Sequence, residues 1–105
     1  MIIFRKFEQL GYEISEEYLN AAYDIHSKEA IREIASLAFW LWRYNRIWIE
    51  IGNKDIFKFT WDFYIGRKIH YDNKSYESPE EAYMAAFEAV YNAHDFIQHQ
   101  QAKHL

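Results

Sequence analysis

The chain has 105 residues, of which half are apolar and a fifth aromatic, with three glycines, one proline, no cysteine and a formal charge of −4. These values fit a single folded domain over residues 1–105 and exclude disulfides, thiolate metal sites and thiol catalysis. They oppose intrinsic disorder, and the 12 Lys+Arg set against 16 Asp+Glu oppose phosphate-backbone binding unless one face is locally basic.

The opening MIIFRKFEQL lacks the apolar run of a signal peptide. The longest apolar run, Leu37 to Trp42, is far too short to span a membrane, and a cytoplasmic setting is expected. Ile3, Phe4, Phe7 and Leu10 recur at helical spacing, and Gly11 follows where a left-handed cap belongs. Ser15 is a good N-cap for a second helix. Glu16 and Glu17 stand at its positive end, and Ile14 and Leu19 are spaced as a hydrophobic staple.

Tyr18, Leu19, Ala22 and Ile25 continue that face before the pattern fails between Asp24 and Glu29. Ser27 is placed to cap a fresh helix. Residues 16–44 therefore form either one long helix or two with a bend near His26-Ser27, and two helices, or one with a kink, are favoured. Ile31, Ile34, Ala35, Ala38, Leu41 and Trp42 then make an inward stripe. Trp42 is expected in the core, and Trp40 on the opposite, charged face with Glu29, Glu33, Ser36 and Arg43, where it is exposed unless the N-terminal helix covers it.

At Tyr44-Asn45-Arg46 the period changes from 3.6 to 2. Ile47, Ile49 and Ile51 alternate with Trp48 and Glu50 in a strand with one buried face. Gly52-Asn53-Lys54-Asp55 reads as a turn. Phe57, Phe59, Trp61, Phe63 and Ile65 then face one way, and Lys58, Thr60, Asp62 and Tyr64 the other. Gly66 marks a second turn, with a short strand at Ile69 and Tyr71. Ser78, Pro79 and Glu81 make a capping box with proline at the first helical position. In the helix that follows, Tyr83, Phe87, Val90, His94 and Ile97 share a face beside Ala82, Ala86, Ala89 and Ala93. The polar tail from His99 is expected to fray.

The fold class is therefore α+β. N-terminal helices precede a two- or three-stranded antiparallel β-meander, and a C-terminal helix packs on one sheet face. Helix–strand–strand–strand–helix order is shared with double-stranded-RNA-binding domains. The start of the last helix, Ser78-Pro79-Glu80-Glu81, is acidic where such domains need cations.

Catalytic signatures are sparse. No His-Glu-x-x-His, Gly-x-Ser-x-Gly, Walker-type or Gly-x-Gly-x-x-Gly motif occurs. Asp95 and His99, beside His94, have helical i, i+4 spacing but no third ligand, so neither a metal nor a cofactor is expected. His94 reads as a core histidine. Asp62 and His70 are placed to face each other across a hairpin, which is weak acid–base evidence. The glutamates at 16, 17, 29, 33, 77, 80 and 81 read as helix starts and solvated faces.

Aromatic residues that core packing does not explain point to a non-enzymatic protein-interaction surface for a protein partner or a second copy. Its candidates are Trp40, Arg43, Trp48, Glu50 and Tyr64. The alternative is nucleic-acid binding through Arg43, Arg46, Lys54, Lys58, Arg67 and Lys68 around the meander.

The run from Ile47 to Val90, with its closing phrase YESPEEAYMAAFEAV, resembles small uncharacterised proteins borne by phages and prophages of gut bacteria. The resemblance covers under half the chain and brings no catalytic residues. It implies an accessory role in a phage or mobile element, such as modulating a host protein or defence system.

Overall fold

The computed structural model describes residues 2–19 and 24–103. The elements are α1 (Ile2–Glu8), α2 (Glu16–Leu19), α3 (Lys28–Asn45), β1 (Ile47–Asp55), β2 (Lys58–Ile65), β3 (Lys68–Tyr71), α4 (Pro79–Asn92) and α5 (His94–Lys103). The fold is α+β. The three strands form an antiparallel sheet in the order β1-β2-β3, and the C-terminal helices pack against it. Among the described residues no helix is long and apolar enough to cross a membrane.

Local signals explain the helix boundaries. Gly11 takes a positive φ of 104° after α1, a conformation that costs glycine no side-chain clash. The Ser15 hydroxyl accepts from the Tyr18 amide at 3.3 Å, capping α2. Ile14 is buried but Leu19 is exposed, so the expected staple does not close. Ser27 caps α3 by accepting from the Ala30 amide at 3.1 Å, which makes two helices of the region; Ala22 lies outside the described residues. Ser78 caps α4 through the Glu81 amide at 3.2 Å, with Pro79 in the first turn. The Glu81 carboxylate reaches back to the Glu77 amide, one residue beyond the usual partner in a capping box.

The sheet register sorts the side chains. Ile47 pairs with Ile65, Ile49 with Phe63, and Ile51 with Trp61 on the helix-covered face. Trp48 pairs with Tyr64, Glu50 with Asp62, and Gly52 with Thr60 on the other face. The hairpin does not turn at Gly52–Asp55. Pairing continues to Asp55 and Lys58, past an irregularity between Asn53 and Asp55, and the turn falls on Ile56-Phe57. Phe57 is thus 72% exposed at the tip and not in line with the core. Gly66, at φ 62°, makes the second turn as expected.

Under the sheet lies an aromatic core. Phe7 of α1 is its hub, with ring centroids 5.5 Å from Tyr91, 5.9 Å from Phe96 and 6.4 Å from Phe87 and Trp40. Ala82, Ala86, Phe87 and Val90 are the buried positions of α4. The chain breaks helix at Ala93 and restarts, which turns Phe96 inward and leaves His94 and Ile97 exposed, so His94 is not a core residue. Helix α5 continues through Lys103, beyond the expected fraying point; His104 and Leu105 lie outside the described residues.

The largest departure is in α3. Glu33 is only 2% exposed. Its carboxyl group accepts hydrogen bonds from the Tyr12 hydroxyl, from the Ser15 amide at 3.1 Å and from the Ser15 hydroxyl at 2.7 Å. Burial first, and then the bond to Glu33, raise the Tyr12 phenol well above its ordinary pKa. The buried face of α3 is Ala30, Glu33, Ile34, Leu37 and Leu41, whereas Ile31, Ala35 and Trp42 of the expected stripe are exposed. Trp40 packs inward against Phe7 and Tyr12. The core expectation for Trp42 and the solvated-face expectation for Glu33 are therefore both overturned, and Trp40 is covered by the N-terminal segment.

Two outcomes test this rotation of α3. Glu33→Ala removes a charged acceptor from three donors, and is expected to lower stability by about 1.5–3 kcal/mol in urea denaturation. Trp40→Ala is expected to cost about 2–3 kcal/mol, below the ~3–5 kcal/mol of a fully buried Trp, and Trp42→Ala less than about 1 kcal/mol. The reverse order for the two tryptophans would refute the assignment.

Candidate interaction surface

The C-terminal half of α3 and the uncovered sheet face meet in one aromatic surface. Phe39 is 61% exposed, Trp42 41% and Trp48 48%; Tyr44 is exposed as well. The Trp42 and Trp48 rings meet edge-on with centroids 5.5 Å apart. The Arg43 guanidinium lies 5.8 Å from the Tyr44 ring centroid, and that of Arg46 lies 5.5 Å from the Trp42 ring. Both distances are within cation–π range.

Arg46 holds the junction. Its φ of 55° and ψ of 37° make it the sole non-glycine residue with positive φ among those described. Its amide donates to the Leu41 and Trp42 carbonyls, ending α3, and Ile47 starts β1 immediately afterwards. A left-handed residue lets the chain turn sharply from helix to strand, at a cost of about 1–3 kcal/mol for a side chain such as arginine. The turn brings Trp42 against Trp48.

Two hollows border α3. One, of about 610 Å³, is lined by residues that include Leu10, Tyr12, Trp40, Arg43 and Tyr44. The other, of about 350 Å³, lies between Phe39, Trp42, Arg43, Tyr44 and Arg46. They share Phe39, Arg43 and Tyr44.

The five residues expected to form an interaction surface are thus divided. Trp48, Glu50 and Tyr64 share the outer sheet face, where the Trp48 indole N–H donates to Glu50 Oε1 at 3.3 Å. Arg43 is in the last turn of α3 and lines both hollows. Trp40 is instead half-buried in the wall of the larger hollow. Sequence periodicity missed Phe39 and Trp42; with Glu33 counted as polar and outward, no local signal could have exposed them.

The six basic residues are divided too. Arg43 and Arg46 end α3, and Arg67 and Lys68 lie at the β2–β3 turn beside Ile65, which pairs with Ile47. Lys54 and Lys58 sit at the far hairpin, about 26 Å from Arg46 at roughly 3.3 Å per strand residue. Lys68 also pairs with Asp95 at 3.4 Å.

Acid–base and metal candidates do not assemble. His70 pairs in register with Phe63, and Asp62 with Tyr71, so the two side chains point to opposite faces. His70 stacks on Phe63 with centroids 4.7 Å apart, and its Nε2 lies 3.4 Å from Asp95. Among the described residues no group of three or more His, Asp or Glu is placed to hold a metal ion. The Ser15 hydroxyl is engaged with Glu33 and as the cap of α2.

Glu50 and Asp62 stand directly opposite each other on the outer face. Desolvation, and then the Glu50 charge, raise the Asp62 pKa above 3.8. The folded protein therefore holds this proton more tightly than the unfolded chain. The stability that Asp62 contributes is lowest at neutral pH, and rises as pH falls through the raised value toward the ordinary one. Asp62→Asn is expected to add about 0.2–1 kcal/mol at pH 7, the usual scale for a cross-strand pair. The gain should shrink in urea melts near pH 4, and an equal gain at both pH values would contradict this electrostatic account.

No family model matches the chain, and no curated protein or solved structure matches it significantly.

Proposed function

We propose that the chain is a non-enzymatic protein-interaction module that binds a protein partner through the C-terminal half of α3 and the adjoining outer sheet face. The observation that carries this reading is the exposure of Phe39, Trp42 and Trp48, with the Trp42 and Trp48 rings in contact and Arg43 and Arg46 beside them. Aromatic and arginine side chains are the types enriched at interface centres, and soluble monomers rarely leave such a patch uncovered. Tyr64 and Glu50 extend the surface along the sheet. The resemblance of Ile47 to Val90 to phage- and prophage-borne proteins supplies a setting for it, an accessory protein of a mobile element acting on a host protein or defence system.

A second reading has one favouring observation: two of the basic residues lie on aromatic rings, a pairing that also suits stacking of single-stranded nucleic acid. The acidic balance of the chain and the distance of Lys54 and Lys58 make it the lesser one.

Affinity capture after nuclease treatment tests the proposal. Phe39→Glu and Trp48→Glu are each expected to reduce recovery of a stoichiometric protein at least tenfold. Phe57→Glu, at the remote hairpin tip, should leave recovery unchanged. Capture that vanishes with nuclease would move the nucleic-acid reading to first place. Concentration-dependent sedimentation abolished by Trp48→Glu would identify the partner as a second copy. Capture indifferent to both surface variants would reject the surface.

A further inference from the structure

We infer that the groove along the last two turns of α3 is a receptor for a short acidic protein segment, whose carboxylates meet Arg43 and Arg46 and whose apolar side chain enters the hollow walled by Trp40. This inference rests on the interaction reading and names the chemistry of the partner.

The charge pattern singles out this occupant. Among the described residues the ion pairs of the chain are Arg5–Glu8, Lys6–Glu88, His26–Glu80, Arg32–Glu17, and Lys68 and His70 with Asp95. Arg43 and Arg46 belong to none of them, nor do Lys54, Lys58 and Arg67, but among the described residues only Arg43 and Arg46 of the unpaired cations stand over aromatic rings. They stand one helical turn apart, each over an aromatic ring, on a protein whose net charge is negative. A guanidinium stacked on a ring keeps its edge N–H groups free to grip a carboxylate with two parallel hydrogen bonds. The smaller hollow lies between these two arginines and the rings of Phe39, Trp42 and Tyr44. Phe39, Arg43 and Tyr44 also line the larger hollow, whose wall carries Leu10, Tyr12 and Trp40 beside the polar Ser36, Asn45 and Gln100. Cations beside a recess with leucine and aromatic residues in its wall fit an acidic residue followed by a bulky apolar one.

Extent decides between a peptide and a polyanion. Glu13 stands on the rim of the larger hollow, and Glu50 and Asp62 lie on the sheet beyond Trp48. A long phosphate backbone directed along the larger hollow or toward the middle of the sheet would meet these carboxylates, and toward the β2–β3 turn it would meet Lys68 already paired with Asp95. A short segment places its negative charge only where the arginines are. The same carboxylates repel an acidic chain that slides out of the groove, which fixes its position.

The left-handed backbone of Arg46 adds a direct handle. Glycine suits φ 55° better than arginine does, so Arg46→Gly removes the guanidinium without straining the chain.

The test is selection from an unbiased library of random dodecapeptides displayed against the whole protein, followed by titration of the enriched peptides. Enriched sequences are expected to place Asp or Glu next to Phe, Leu or Trp. Replacing their acids by amides should weaken binding at least tenfold. Arg43→Gln and Arg46→Gly should each produce a similar loss at unchanged thermal midpoint, whereas Lys54→Gln with Lys58→Gln should not. Enrichment of neutral or basic peptides, no enrichment, or binding indifferent to both arginines would each overturn the inference. So would an oligodeoxythymidylate that binds more tightly than the selected peptides and is lost in the same variants. The capture experiment with Trp48→Glu judges the interaction reading separately, since Trp48 lines neither hollow and the change leaves both arginines in place.

Discussion

The buried carboxyl group of Glu33 fixes how α3 lies in the molecule. Three donors from the α1–α2 connection converge on it, two from Ser15 and one from Tyr12. A buried acid that lost them would be costly, so the helix is held with this position inward. The rest follows from helical geometry. Trp40, seven residues on at about 100° each, returns to within roughly 20° of Glu33. Trp42, nine residues on, falls about 180° away and must face out. One polar contact thus decides which tryptophan is core and which is surface.

That choice matters because α3 leads directly into β1. With Trp42 outward and Arg46 in a left-handed conformation, the chain enters the sheet with Trp48 beside Trp42. Had the helix been rotated to bury Trp42, Trp48 would have lost its helix neighbour and kept only its strand neighbours, such as Tyr64 and Glu50. The aromatic surface is therefore a joint product of two elements, and neither would make it singly. Its base is firm: Trp40 and Tyr12 are anchored in the Phe7 cluster that also holds α4 and α5.

Much of the architecture was legible in the sequence for physical reasons. Ser15, Ser27 and Ser78 announce helix starts because their hydroxyls satisfy amides that no helix can satisfy itself. Alternation of Ile47, Ile49 and Ile51 with Trp48 and Glu50 gave the sheet faces, since side chains along a regular strand alternate between them. What escaped was set by distant partners. Periodicity treats glutamate as outward, and the donors that draw Glu33 in lie far away along the chain. The hairpin turn escaped because Gly52 and Asn53 look like turn residues. Gly52 serves a different need: a Cβ there would meet the Thr60 hydroxyl at 2.7 Å, so the glycine permits close cross-strand packing. His70 escaped by one residue of register, which reverses the face of every side chain in a short strand.

The same register explains why charge is segregated on the surface. Lys68 and His70 lie on the helix side of the sheet, where both reach Asp95 of α5. Glu50 and Asp62, on the other side, are left facing each other without a cation. The sheet cannot exchange these arrangements without shifting register and exposing Phe63 and Trp61, which the core would not tolerate. The outer face therefore stays acidic toward its middle, and Arg43 and Arg46 stay cationic at the end of α3. Exposed aromatic rings join the two regions, so a protein docked there, as proposed, would be oriented as well as attracted: its charges would settle in one direction across Trp42 and Trp48, and the reversed placement would set like charges against each other at both ends.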